Sequence, residues 1–424
     1  MAGAGEPDRG SAFARATVAM RHREFAIFWV AALVSNTGSW MQAAAIPYVA
    51  FQLTGRNGGV GLTGFWQYLP VMMMGAIGGS MADRFERKRL LVATQIAQAI
   101  CALMLWWLVA SGRATPTTLT ALAFTSGLAG GMNIPVWQSF VSQLVPREIL
   151  MNAVTLNSTQ FNAARALGTF AAGIVIATSG PDLVFAINAL SFGSVLIGLA
   201  FIRSQHPAPI EGKRLSAGAD LAAGVRYVWS VPGIVSCCIA IVAIAGIASP
   251  LFSFITSSYT KEIFHVSGWQ QGLLWGAGGI GSLVFAPFIL TIGARLNRSI
   301  LLVGAMTAHA TGTIIVGSSP RWWLAAVGLM LYGGSYLAIA SALNTTIQLL
   351  ARDDMRGKSI AVFVMCLTGA LPIGLYVWGV AADHLGIQEV TVIAGVLLLL
   401  VTAGLWVTGR FSAMTDADRS LTTV

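Results

Sequence analysis

Charge is scarce in this chain. Acidic and basic residues together occupy 10% of its 424 positions, where a soluble globular chain carries about 25%. So few charges cannot cover a water-facing surface. Cysteine is sparse too: Cys101, Cys237, Cys238 and Cys366 all fall inside apolar runs. No CxxC pair or Cys/His ligand spacing occurs, so neither a disulfide framework nor a zinc site is supported, and no metal or other cofactor is expected. There are sixteen carboxylates, none of them central in an apolar run, and Asp353-Asp354 lies in a short loop. No acidic pair therefore has room for a buried catalytic site. The net charge of +9 has no basic stretch interleaved with aromatics behind it, so nucleic acid is not an expected partner.

Apolar residues are abundant, at 56% of the chain. Each crossing of a bilayer takes about 20 of them. Apolar runs predict spans at 25–53, 60–82, 89–110, 117–144, 153–179 and 183–202. After a break the series resumes at 233–257, 269–292, 299–317, 321–349, 358–381 and 388–409. The fold class is thus all-α and polytopic, with twelve transmembrane helices in two six-helix bundles, 25–202 and 233–409. With the N-terminus inside, twenty of the 25 Lys and Arg fall in cytoplasmic segments. Four (Arg56, Arg113, Lys261 and Arg321) fall outside, and Arg165 lies within a span. That asymmetry places both tails, 1–24 and 410–424, in the cytoplasm. The N-terminal tail carries no recognisable cleavable signal. The linker 203–232 includes Leu221, Val225, Val228 and Trp229 at helical spacing, which predicts an amphipathic helix on the membrane face. Gly168, Gly173 and Gly180 recur as Gly374, Gly379 and Gly386. Falling at equivalent spans, they indicate an internal duplication of the kind from which transporters build a central site.

The loop after the second span reads Gly79-Ser-Met-Ala-Asp83-Arg84-Phe-Glu-Arg87-Lys88-Arg89. It resembles the major facilitator superfamily signature G-x-x-x-D-R-x-x-R-[KR] at Gly79, Asp83, Arg84, Arg87 and Lys88, with Glu86 where a Gly is usual. Asp83 can sit near the positive N-terminus of a neighbouring helix, and Gly79 permits close helix approach. The corresponding loop of the second half, Ala294-Arg295-Leu-Asn-Arg298, has lost the acid. Further stretches, Val34 to Gln42, Leu144 to Ala153, Asn162 to Gly168 and Arg356 to Ile360, resemble the bacterial exporter branch that includes enterobactin exporters and macrolide-efflux relatives. The resemblance implies an inner-membrane exporter of a small amphiphilic molecule, siderophore-like or drug-like. It also implies proton antiport by alternating access, with a monomer expected. Nutrient uptake by symport on the same scaffold is the alternative. That branch usually has Gly-Pro in the fifth span, where this chain has Gly168-Thr169 and so lacks the proline that would bend the helix there.

Polar residues within spans are the candidates for a substrate path: Asn36 and Gln42 in the first span, Asn133 and Gln138 in the fourth, Asn162 and Arg165 in the fifth, and Tyr332, Tyr336 and Asn344 in the tenth. Interhelical hydrogen bonding competes for each of them, at about 0.6 kcal/mol on average. His309 in the ninth span is the one intramembrane group whose ordinary pKa suits proton exchange, against a purely structural role. Ser158, Asn162, Arg165 and Thr169 share one stripe. Without a central carboxylate, Arg165 is satisfied either by backbone and amides or by an anionic group of the substrate. Ser249-Pro250 predicts a break in the seventh span. Two motifs mislead. Gly276-Ala-Gly278-Gly-Ile-Gly281 matches a dinucleotide pattern but lies within a span, where it reads as helix packing. Gly357-Lys358-Ser359 ends like a P-loop, but Arg352 stands where its first Gly belongs. A membrane-embedded transferase and a non-transporting sensor are the readings from other classes.

Overall fold

The computed structural model describes residues 17–203, 217–291 and 296–414; for 75–80, 82–84, 217–221 and 289–290 it describes the backbone alone. The outer parts of both tails, residues 204–216 of the linker, Ala294 and Arg295 lie outside the described residues, as do the side chains of Gly79, Asp83, Arg84 and Leu221. Twelve long helices follow in order. The first half holds α1 Arg23–Thr54, α2 Asn57–Arg84, α3 Arg87–Ala110, α4 Pro116–Val141, α5 Leu150–Ser179 and α6 Pro181–Phe201. After the linker helix Ala217–Ser230 come α7 Pro232–Ile263, α8 Gly268–Thr291, α9 Arg298–Ser318, α10 Trp322–Leu350, α11 Arg356–Leu385 and α12 Ile387–Val407. No strand occurs among the described residues.

Local chemistry sets the starts of these helices. Pro opens α4, α6 and α7, where its missing N–H costs nothing and its fixed φ suits the first turn. Thr115 and Thr118 form a capping box ahead of α4, and the Asn297 side chain accepts from the Ser299 N–H at the start of α9. Nine of the twelve helices are long and apolar enough to cross a membrane by composition alone, counted over the described residues. Among the others, α1 is diluted by Asn36, Thr37, Ser39 and Gln42.

The spans match their sequence expectations closely, except that α4 stops at Val141 and α7 runs on to Ile263. That extension is π-helical. The predicted break at Ser249-Pro250 falls between two π segments, Ile244–Ala248 and Ile255–Ile263. The widened turns bury a polar run completely, because its hydroxyls return to nearby carbonyls. Ser257 Oγ donates to Ser253 O at 2.8 Å and Thr260 Oγ1 to Ile255 O at 2.7 Å.

Within each half the same neighbours meet: α1 with α5 and α6, α2 with α4, α7 with α11, and α8 with α10. The repeated glycines hold equivalent places. Gly168 of α5 lies against α1 and Gly374 of α11 against α7; Gly173 of α5 lies against α8 and Gly379 of α11 against α2. Gly180 and Gly386 turn the chain into α6 and α12 at φ 96° and 92°, a conformation open to glycine and strained for other residues. The linker helix docks on α11, and its Tyr227 hydroxyl accepts from the Arg352 N–H at 3.0 Å. Its predicted apolar stripe is divided: Val228 is buried against the second half, while Val225 and Trp229 face outward.

Candidate functional site

About half-way along α5, Arg165 crosses from the first half to the second. Its Nη2 donates to Ser282 Oγ of α8 at 3.1 Å, and that hydroxyl donates in turn to Gly333 O of α10 at 2.8 Å. The guanidinium carbon lies 5.7 Å from the centre of the Trp40 ring of α1, a cation–π contact. Arg165 Nε is buried with no hydrogen-bond partner. Below Gly333 on α10, the Tyr332 ring stacks on His309 of α9 with centroids 4.1 Å apart, and Tyr336 lies 6.2 Å from the same imidazole. His309 is fully buried. Its Nδ1 is 2.9 Å from Tyr332 O and 3.2 Å from Ser335 Oγ, while Nε2 has no partner. The Tyr332 hydroxyl donates to Ala248 O in the first π segment of α7 at 3.4 Å. One cation, one imidazole and two phenols are thus gathered at mid-depth, where no carboxylate occurs in the sequence. The arrangement can hold an anion and stack an aromatic ring, and it offers one free imidazole nitrogen.

The two ends of the path differ. The face carrying the α1–α2 and α11–α12 turns, here the far face, is shut. Asp383, in the last turn of α11, accepts from the Asn57 N–H at 2.7 Å and the Gly58 N–H at 3.0 Å. These are the first two residues of α2, whose own N-cap Arg56 makes no side-chain cap, so a carboxylate from the other half satisfies two orphan donors. Close backbone approaches continue this seal. A Cβ on Gly379 would stand 2.6 Å from Asn57 O, and one on Gly173 would stand 2.5 Å from the Gly272 Cα. Lys261 Nζ of α7 caps the Tyr48 ring of α1 at 4.5 Å. Toward the opposite face, which carries the linker, α4 and α10 make no extensive contact among the described residues, and Gln138, Asn344 and Gln348 are exposed. Polar side chains left open at that position suit an aqueous path better than contact with lipid.

The remaining candidates separate into path and packing. Asn36 donates to Gln160 Oε1 at 3.1 Å between α1 and α5. Gln42 is buried and accepts from Asn188 of α6 at 2.8 Å, away from the path. Asn133 accepts from Thr94 Oγ1 of α3 at 2.9 Å. Asn162 donates to Ser158 O at 2.9 Å within its own helix, and Asn344 accepts from Gln348 Nε2 at 2.7 Å. In the signature loop, Arg87 donates to Ser139 O of α4 at 3.2 Å and Lys88 to Ile202 O beyond α6 at 2.7 Å, both within the first half. Nothing in the sequence points to Ser282 or Trp40 as partners of Arg165, and residue type alone does not set Asp383 apart from the other carboxylates outside the apolar runs. One signal was there to find. An acid in the last turn of a helix opposes its own macrodipole, which is a reason to look for another helix's N-terminus nearby.

Two six-helix halves around a mid-depth polar path, shut at one face and parted at the other, define a membrane transporter of the major facilitator superfamily. It sits in a lipid bilayer and carries a small molecule. The sequence model described as "Transmembrane secretion effector" matches residues 14–421, and the chain belongs to that family. The chain is 21% identical over 381 residues to the multidrug efflux pump Tap of Mycolicibacterium fortuitum, covering 88% of this chain and 92% of that protein. It is 23% identical over 347 residues to the enterobactin exporter EntS of Citrobacter koseri, covering 80% of each. Among solved structures it is similar in fold to a nucleoside transporter, NupG, with a TM-score of 0.72 at 15% identity over 93% of this chain and 100% of that one. The resemblance drawn from the signature loop is borne out, and the family is one of transporters, not enzymes.

Proposed function

We propose that the protein exports a small amphiphilic molecule, siderophore-like or drug-like, across a bacterial inner membrane by alternating access in exchange for protons. The observation that carries this reading is Arg165: a mid-depth guanidinium with an unpartnered Nε, an indole against its face and no carboxylate to neutralise it. Such a group suits an anionic substituent, a catecholate or carboxylate, on a molecule whose rings lie against Trp40, Tyr332 and Tyr336. The names of the efflux pump and exporter relatives support the direction. The excess of Lys and Arg on the linker face supports a cytoplasmic placement of that face and of both tails. The open side of the path is then the side from which an exporter loads. His309 is our candidate proton carrier, because an imidazole with one free nitrogen can take a proton once water from the far side reaches it.

Reconstituted vesicles test the proposal. An inward proton gradient, acid on the side bearing the far face, should drive a catecholate-bearing amphiphile toward that side. Solute moving with the proton instead would make the protein an importing symporter. Arg165→Lys keeps the charge and loses the planar fork, so kcat/KM for the anionic solute should fall about tenfold while a neutral analogue is largely spared. Equal losses for both solutes, with normal insertion, would assign Arg165 to architecture.

A further inference from the structure

The second half carries a groove of about 680 Å³ between α7 and α11, away from the central path. Val235, Ile239 and Val242 form one wall and Val362, Cys366 and Ile373 the other, with Val401 of α12 behind. Among the described residues no charged side chain lines it. The one indole N–H at its inner end, Trp378 Nε1, is already donated to Gly246 O at 2.9 Å. That end is closed where Gly374 meets the Gly246 backbone too tightly to admit a Cβ. Val235 to Gly246 spans eleven residues, about 16 Å at 1.5 Å per residue. One leaflet of hydrocarbon is about 15 Å deep. The groove therefore runs from the membrane interface to the mid-plane and no farther. An apolar cleft of that depth does not hold water.

Its mouth has the chemistry of a headgroup region. Trp229 of the linker helix stands there 73% exposed, an indole at interface height. Arg226 lies three residues earlier, on the same side of that helix, exposed and with no hydrogen-bond or ion-pair partner among the described residues. An apolar slot one leaflet deep beneath a free guanidinium and an interfacial indole matches an anionic amphiphile of the bilayer itself. We propose that the groove holds one acyl chain of an anionic phospholipid from the linker-face leaflet, with its phosphate at Arg226. The lipid adds a further contact among α7, α11 and the linker helix, all of which line the groove.

Native mass spectrometry of the full chain, with phosphatidylglycerol or phosphatidylcholine added, reads the site directly. One phosphatidylglycerol per chain should survive at activation energies that strip phosphatidylcholine. Arg226→Ala should weaken that retention about fivefold. Val242→Trp, which fills the slot, should abolish it. A second reading needs no mutation. N-ethylmaleimide labelling of Cys366, mapped by peptide mass, should slow as phosphatidylglycerol is titrated into wild-type protein, while labelling of Cys101, outside the groove, should not. Equal retention of the two lipids, or Cys366 labelling indifferent to lipid, overturns the proposal. So does a dimer peak that Val242→Trp removes, which would make a second copy the occupant. Loss of solute export in Val242→Trp with lipid retention intact also overturns it, because the slot would then hold the substrate.

Discussion

Replacing Asp383 by alanine removes the carboxylate that caps α2 from the opposite half. The Asn57 and Gly58 N–H groups that it holds at 2.7 and 3.0 Å then have only water, and nothing else in the α1–α2 turn replaces it. Loss of a helix N-cap costs about 0.5–2 kcal/mol. Asp383 is exposed, so about 1 kcal/mol is the reasonable figure. The whole cost falls on the far-closed state, because the cap spans the two halves and breaks when that face opens. The ratio of far-open to far-closed protein should therefore rise about fivefold. Nitroxide labels at Arg113 and Arg321, exposed in the far-face loops of the two halves, would follow it in a background without the four native cysteines. Their distance distribution should gain weight at the longer separation in Asp383→Ala. Asp383→Asn keeps one acceptor and should give roughly half the effect. An unchanged distribution in Asp383→Ala, with both labels reporting native-like helices, would show that the cap does not hold the far face shut.

Other substitutions test separate parts of the argument. His309→Gln preserves hydrogen bonding to Tyr332 O but cannot take a proton. Proton-driven export should fall at least tenfold while counterflow of solute without a gradient persists; loss of both in parallel would point to a packing role. Gly333→Ala forces a Cβ into the Gly278 carbonyl and should lower the detergent-solubilised melting temperature, with overpacking costing about 1–3 kcal/mol, whereas Gly304→Ala, with open space around it, should leave melting unchanged. Asp83→Asn should insert normally and transport poorly, because the signature loop is intact in the first half while the corresponding loop of the second half has lost the acid. Near-normal flux in vesicles would remove Asp83 from the mechanism.

Spans were legible because bilayer length and apolar composition set them, and even the break at Ser249-Pro250 could be placed. The extension of α7 beyond residue 257 to Ile263 was hidden, since Ser258, Thr260, Lys261 and Glu262 end the apolar run and the Ser258 and Thr260 hydroxyls are returned to carbonyls only once the helix continues. Arg165 was legible as an intramembrane charge. Its partner was not: a serine 117 residues away leaves no periodic signal. Gln42 shows the converse, a polar residue in the first span whose place is the contact with α6. Single-residue polarity marks where a hydrogen bond is needed and does not say whether helix or solute supplies it. The Asp383 cap and the lateral groove depend on how α11 sits against α2 and α7, a relation that no local pattern encodes.

The missing mid-depth carboxylate has an electrical consequence. A guanidinium that stays protonated makes the empty carrier positive at its centre, and a bound monoanion makes the loaded carrier neutral. Reorientation with solute aboard then moves little charge through the field, while the return without solute moves the guanidinium charge and, when His309 carries the exchanged proton, a second. A full unit charge crossing the membrane is worth about 2.3 kcal/mol per 100 mV. With the interior negative, that work pulls the unloaded site back toward the cytoplasm, so the membrane potential resets the cycle instead of opposing the anion's exit. Turnover of an anionic solute should accordingly quicken with an inside-negative potential even at zero pH gradient.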